Sequence, residues 1–312
     1  MTIDTKTKIA VCSRSFSRNE VLRNELLSRY LNVKFNDDGL NLGGSSLVNF
    51  LLDADKAITA LEVIDEEILS QLPKLKVIGK YGVGLDMIDF NAMRKFEVSL
   101  GWTGGVNKRS VSELVISLAI SMLRKVPSAN KDVLSGKWRM HVGTLLTGKT
   151  VGIIGCGNIG KDLVELLQNF NCEIIVNDIK NFHNFYQKFN IKALNLDDLL
   201  MNSDIVTLHL PLDDSTSNIL NESKLKMMKS SAILINIARG GLVDENALKR
   251  ALKQKNIAAA AFDVLFEEPP SDFELIGLDN FFVTPHIGGS AKESIIAMGI
   301  AAIEGLDNNK VP

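Results

Sequence analysis

The apolar, β-branched run Thr150–Ile154 is followed at once by Gly155-Cys156-Gly157-Asn158-Ile159-Gly160, and then by a helical pattern from Ile159 to Phe170. Strand, glycine-rich turn and helix in that order specify one local geometry. Gly155 permits the tight turn, Gly157 lets backbone approach a pyrophosphate, and Gly160 lets helix and strand pack closely. The helix start then turns unpaired N–H groups toward a phosphate. The next strand pattern, Glu173–Val176 with Asn177, ends at Asp178, 18 residues beyond Gly160. A carboxylate at that point accepts hydrogen bonds from the ribose hydroxyls of an adenine dinucleotide. A glycine turn beside a locally capping Asp is the alternative reading of the same residues. The common register of strand, glycines, helix and acid favours the dinucleotide site.

The same alternation runs through most of the chain. Strand patterns fall at Lys8–Cys12, Lys56–Thr59, Leu75–Gly79, Thr150–Ile154, Glu173–Val176, Ile205–Leu208, Ala232–Asn236, Ile257–Ala261 and Phe281–Thr284. Helical patterns such as Glu20–Tyr30, Val111–Leu123, Ile159–Phe170 and Glu245–Lys255 lie among them. Such a series reads as βαβ units, hence an α/β chain of doubly wound parallel sheets covered by helices on both faces. A length of 312 residues suits two domains. No Pro- or Ser-rich linker separates them, so structured chain must cross the boundary. A long helix from Ser110 to about Leu134, ending near Gly136 and preceded by Gly101, Gly104 and Gly105, is the expected crossing element.

Composition narrows the partners. Hydrophobic residues make up 46% and charged residues 23%, the balance of a soluble globular protein, and the formal net charge is −2. No global field therefore draws nucleic acid or an acidic membrane, and small anions must be met by individual side chains. Cys12, Cys156 and Cys172 are widely spaced, form no CxxC and have no His at metal-ligand spacing. Reduced, buried thiols in a cytoplasmic protein without a metal site are expected. The polar start Met1–Lys8 runs straight into Ile9-Ala10-Val11 and has no signal-peptide pattern. The most apolar stretch, Val111–Leu123, is interrupted by Ser112, Glu113, Ser117 and Ser121 and is too short to span a bilayer.

Three polar residues stand at strand ends after the glycine motif. Arg239 follows Ile233–Ala238, Glu268 precedes Pro269-Pro270, and His286 follows Phe281–Pro285. In a doubly wound sheet the ligand crevice lies beyond the carboxyl ends of the strands. A guanidinium there can hold a carboxylate bidentately, an imidazole can take or return a hydroxyl proton, and a neighbouring carboxylate orients the imidazole. Singly, each has a plainer reading: Arg239 pairs with Asp244, Glu268 is solvated like Glu267, and His286 bonds to turn backbone. Together, after a nucleotide motif, they read as a catalytic set. His141, His183 and His209 lack such company, although His209, before Pro211, falls near the nucleotide.

At these residues the chain resembles the D-isomer-specific 2-hydroxyacid dehydrogenase family. The runs that carry the resemblance are VIGKYGVGLDMID, NKRSVSELVISLAISMLR, GKTVGIIGCGNIG, SDIVTLHLPLDDSTSNIL, LINIARGGLVDENAL, AAFDVLFEEPP and VTPHIGGSAKE, from about Ile58 to Gly289. Within the family the chain is most similar to the D-3-phosphoglycerate dehydrogenases. The resemblance implies hydride transfer between NAD(H) and C2 of a small D-2-hydroxy acid or 2-keto acid, with D-3-phosphoglycerate as one candidate. It implies a flavodoxin-like substrate domain, residues 1–104 and 287–312, and a Rossmann NAD-binding domain, residues 105–286. It makes Arg239 the substrate-binding arginine, Glu268 the histidine-orienting glutamate and His286 the acid–base. Substrate would meet Lys80, Val83 and Gly84 besides Arg239 and His286. Cofactor would meet Gly155, Gly157, Asn158, Ile159, Gly160, Asp178, His209, Pro211, Thr216, Ala238, Asp263 and Gly288. Family members pair through the Ser110–Leu134 region, so a homodimer is expected. Departures are Leu100–Gly105, in place of an Asn- and Pro-containing stretch, and Lys80-Tyr81, where the family varies with its substrate. The end at Pro312 leads us to expect no serine-sensing regulatory domain. Lys80, Lys108 and Arg109 are candidate cations for a substrate phosphate. An NAD(H)-responsive corepressor-like binding protein, acting through protein contacts with little turnover, is the competing function.

Overall fold

Two sheets collect the β-branched runs, and every strand in them pairs with parallel neighbours. In the computed structural model, which describes residues 3–312, the chain divides into two units: residues up to Asn107 with Ala291–Pro312, and Lys108–Ser290. The strands of the first are β1 (Asp4–Val11), β2 (Tyr30–Phe35), β3 (Lys56–Thr59), β4 (Val77–Lys80) and β5 (Ser99–Gly101), in the order β2-β1-β3-β4-β5. This is the flavodoxin-like order. Those of the second are β6 (Thr150–Ile154), β7 (Glu173–Asn177), β8 (Lys192–Ala193), β9 (Ile205–Leu208), β10 (Ile233–Asn236), β11 (Ala259–Phe262) and β12 (Phe281–Val283). They lie in the order β8-β7-β6-β9-β10-β11-β12, the Rossmann order with one strand added.

Successive side chains along a strand face opposite ways, so each sheet builds a core on both faces. In the second unit Val206 and Leu234 pack on one side with Leu248 and Leu275, while Ile205 and Ile235 pack on the other with Val115 and Leu163. In the first unit Ile9, Val11 and Ile58 meet Ala302, Ile303 and Leu306 at the end of the returning helix Lys292–Gly305. The opposite face buries Leu47, Ile64, Ile78 and Met93. Among the described residues no helix is long and apolar enough to cross a membrane.

Two helix expectations need correction. The pattern Glu20–Tyr30 stops as a helix at Leu27, and Tyr30 begins β2, where it pairs with Asp4 and donates its hydroxyl to Asp307. The expected continuous helix from Ser110 is two helices, Lys108–Leu123 and Val126–Leu134. Lys125 turns left-handed at φ 54°, and Pro127 has no N–H to give to the Leu123 carbonyl. That carbonyl instead accepts the Thr144 N–H at 3.0 Å.

Candidate active site

Parallel pairing puts the carboxyl ends of the strands of the second sheet on one edge, and the residues that follow those strands gather there. After β6, Gly155 adopts φ +95°, and a Cβ on it would lie 2.6 Å from the His209 carbonyl oxygen; a Cβ on Gly160 would lie 2.3 Å from the Gly155 carbonyl oxygen. The helix Asn158–Leu167 begins at Gly157, which has no side chain to cap it and faces open space where a Cβ would stand. Its first N–H groups are thus left for an anion. The Ile159 carbonyl accepts Ser112 Oγ at 3.3 Å, which ties this helix start to the Lys108–Leu123 helix.

Asp178, just past β7, accepts the Cys156 N–H on Oδ2 and the Lys180 N–H on Oδ1, each at 2.7 Å. Its carboxylate therefore lies against the glycine loop, with lone pairs left for ribose hydroxyls. Glycines, an open helix start and this carboxylate fit a dinucleotide.

After β9, His209 Nε2 lies 3.0 Å from Thr207 Oγ1, and burial pushes the imidazole down to about 3, so it is neutral at working pH. Its Nδ1 is buried and has no hydrogen-bond partner among the described residues. Thr216 Oγ1 donates to the Pro211 carbonyl and accepts the Asp213 N–H, both at 2.8 Å, closing the loop beyond.

After β10, the buried Asn236 shapes the next turn: its Oδ1 accepts the Ala238 N–H at 3.1 Å and its Nδ2 donates to the Arg239 carbonyl at 2.8 Å. The Arg239 guanidinium donates to the Ala238 carbonyl at 2.6 Å. Asp244 caps the following helix by accepting the Ala247 N–H at 2.9 Å.

After β11, Asp263 is 1% exposed and serves the His286 turn. Its Oδ1 accepts Thr284 Oγ1 at 2.5 Å and the Ile287 N–H at 2.8 Å; Oδ2 accepts the Gly288 N–H at 2.7 Å. The Asp263 carbonyl accepts the His286 N–H at 2.9 Å. These bonds hold His286 at φ 54°, a left-handed conformation that costs roughly 1–3 kcal/mol in a non-glycine residue. His286 Nδ1 lies 2.8 Å from Glu268 Oε2, and Glu268 Oε1 accepts the Leu265 N–H at 3.1 Å. The imidazole is about half exposed, and its Nε2 has no partner among the described residues. A ring fixed at Nδ1 by a carboxylate and open at Nε2 is arranged to exchange a proton with a bound molecule.

The residues expected to meet substrate, Lys80, Val83 and Gly84, lie in the first unit. Lys80, at the end of β4, is buried and donates to the carbonyls of Ala60 at 2.6 Å and Tyr81 at 3.3 Å. The Val83 carbonyl accepts Trp102 Nε1 at 3.0 Å, so the unusual Leu100–Gly105 segment anchors the loop that holds Val83 and Gly84. The other cations considered for phosphate are engaged within the second unit. Arg109 makes a two-point pair with the buried Asp162, at 2.9 and 3.0 Å, and Lys108 Nζ lies 3.9 Å from the same carboxylate. Sequence reasoning missed Asn236 and Asp162; a polar residue inside an apolar strand or on a buried helix face was the available signal. Among the described residues no group of three His, Cys, Asp or Glu could hold a metal ion, and all three cysteines are free thiols.

Residues 116–288 match the family model described as D-isomer specific 2-hydroxyacid dehydrogenase, NAD binding domain. A glyoxylate reductase of Aeropyrum pernix is 34% identical over 293 residues, covering 90% of this chain and 88% of that one. A D-3-phosphoglycerate dehydrogenase of Archaeoglobus fulgidus is 36% identical over 248 residues, covering 78% of this chain and 47% of its own. The chain thus spans about half the length of this phosphoglycerate dehydrogenase and most of the glyoxylate reductase. Among solved structures, an acyclic imino acid reductase in complex with NADPH and D-Arg superposes with a TM-score of 0.87 at 27% identity, covering 97% of this chain and 96% of that one.

Proposed function

The chain belongs to the D-isomer specific 2-hydroxyacid dehydrogenase family, and from that premise we propose that it reduces a short 2-keto acid with NADH, or oxidises the corresponding D-2-hydroxy acid with NAD. The observation that carries this reading is the Glu268–His286 pair, 2.8 Å apart on the sheet edge that also bears the glycine loop and Asp178. When bound, the nicotinamide supplies or accepts the hydride at C2 of the substrate. Gly155, Gly157, Asn158, Ile159 and Gly160 hold the pyrophosphate side, and Asp178 the adenosine ribose. His209, Pro211, Thr216, Ala238, Asp263 and Gly288 line the remainder.

In this reading the lobe of residues 108–290 binds the cofactor, and the lobe of 1–107 with 291–312 binds the substrate. On the cofactor lobe the Arg239 guanidinium grips the substrate carboxylate in ground and transition states; on the other lobe Lys80, Val83 and Gly84 are the substrate-binding residues. His286 Nε2 gives the proton to the C2 oxygen as the keto acid is reduced and takes it back in the reverse direction. Glu268 fixes the ring through Nδ1 and stabilises its charged form.

A substrate without phosphate is favoured, because Arg109 is neutralised by Asp162 and Lys80 is buried against backbone carbonyls. A panel of 2-keto acids, phosphorylated and not, tested for NADH oxidation decides this. Turnover of a short unphosphorylated keto acid is expected; turnover of phosphohydroxypyruvate alone would overturn the substrate assignment. We further propose a homodimer formed through the segment 126–145, where Val126, Leu134, Trp138, Met140, Val142 and Leu145 are exposed. Three free thiols accord with a place in the reducing cytoplasm.

A further inference from the structure

The backbone from Leu265 to Phe266 is a junction for three parts of the site. The Leu265 N–H goes to Glu268 Oε1 at 3.1 Å, on the carboxylate whose other oxygen holds His286. Gly240, next to Arg239, packs so closely that a Cβ on it would lie 2.0 Å from the Leu265 carbonyl oxygen and 2.5 Å from the Phe266 nitrogen. The Phe266 N–H, finally, is taken by Glu245 Oε1 at 2.7 Å.

Glu245 is the first residue of the helix Glu245–Lys253, which starts at the Asp244 cap. Its carboxylate reaches across 21 positions of sequence to the Phe266 amide. Its carboxyl is half-buried, and burial pushes it up, with Asp272 and Glu268 adding repulsion against the Phe266 hydrogen bond. Asp272 is itself paired with Lys249 at 2.7 Å, so the acids facing Glu245 are not all uncompensated. A helix-start carboxylate usually stays in water, where it complements the helix dipole at no desolvation cost. This one is turned onto a loop amide in spite of burial and two acidic neighbours.

We infer that Glu245 is a positioning residue for the proton-transfer pair: by holding the Phe266 N–H it fixes the Leu265–Phe266 turn, and so the direction from which Glu268 reaches His286 Nδ1. The inference rests on the proposed role of His286, so its test includes a reading that needs no turnover. In the neutral imidazole, the Nδ1–H tautomer is the one that can donate to Glu268, and 15N chemical shifts report its fraction. The histidine spectrum holds only four residues, His141, His183, His209 and His286, and a His286→Asn sample identifies the signal.

Glu245→Ala removes the acceptor, Glu245→Asp keeps the charge but shortens its reach, and Glu245→Gln keeps both reach and an acceptor oxygen. In the chain without substrate, Ala and Asp are expected to lower the Nδ1–H fraction toward that of Glu268→Gln, whereas Gln keeps the native value. In turnover, Ala and Asp should lower kcat about tenfold with NADH affinity unchanged, and Gln should restore it. In a Glu268→Gln background, Glu245→Ala should add little, because both act along one line. Native tautomer fractions in both Ala and Asp, or a full additional loss in the double variant, would overturn the inference. A shifted tautomer in a chain that reduces no keto acid would leave the positioning role standing and remove the dehydrogenase reading. An unchanged tautomer in Glu268→Gln would remove the pair and the positioning role with it.

Discussion

Asp178 lies with both oxygens against backbone N–H groups, one of them Cys156 within the glycine loop. A phosphate on the 2′ position of the ribose would meet that carboxylate at close range with about two negative charges. The imino acid reductase that shares the fold was solved with NADPH, so the fold itself does not choose the cofactor, and we propose that this residue does. The ratio of kcat/KM for NADH over NADPH should exceed about 100, and Asp178→Ala should narrow it at least tenfold. An unchanged ratio in the variant would remove Asp178 from that role.

His209 bears on the acid dependence of stability. Its ring is held neutral by burial, at about 3 against an ordinary value near 6.5. Below about 6.5 the unfolded chain binds a proton there and the folded chain does not, so this contribution to stability is present above that pH and is lost as pH falls toward 3. His209→Gln should flatten the fall of stability with acid across that window, measured by urea unfolding at pH 7, 6 and 5. An equal acid slope in the variant would contradict the neutral, buried ring. At the proposed reacting centre, His286→Ala should cut kcat about 100-fold or more, and Arg239→Ala should act on both KM and kcat.

Element by element, the sequence was most readable where strands are central. Lys56–Thr59, Thr150–Ile154 and Ile205–Leu208 were read to the residue. The unread strands, Tyr30–Phe35, Ser99–Gly101 and Lys192–Ala193, are all sheet edges. A strand paired on one side and half exposed needs no continuous apolar run, so its pattern dissolves into loop. The break at Lys125 was legible only as Pro127, because the Thr144 N–H that takes the freed carbonyl lies in a later loop. In the site, Arg239 and His286 could be singled out because each closes an apolar run, and Glu268 because it stands before Pro269-Pro270 just past a strand pattern. Glu245 could not, since a glutamate at a helix start is ordinary and its bond to Phe266 spans 21 positions of sequence. The close approach of Gly240 to the Leu265 backbone leaves no room for a Cβ. Gly240→Ala must push the Leu265 backbone away, and should lower kcat at least tenfold while the far-ultraviolet circular dichroism stays native. Native kcat in that variant would show that the turn tolerates displacement.

For the molecule as a whole, the exposed apolar side chains of 126–145 set the expected assembly. Trp138 is 94% exposed and Met140 88%, which a solitary chain would leave in water at a cost of roughly 25 cal/mol per Å². Sedimentation at micromolar concentration should give a dimer, and Leu134→Glu with Trp138→Glu should give a monomer. A native monomer would contradict the assembly. Hydride delivery to C2 under control of the His286–Glu268 pair is read out by NADH carrying deuterium on both faces of C4. With a short unphosphorylated 2-keto acid, mass spectrometry and chiral chromatography should find one deuterium at C2 of the D-2-hydroxy acid, and almost none should appear with His286→Ala. Tight NADH binding without deuterium in any product across the keto-acid panel would contradict hydride transfer, and would leave the chain as an NAD(H)-responsive binding protein.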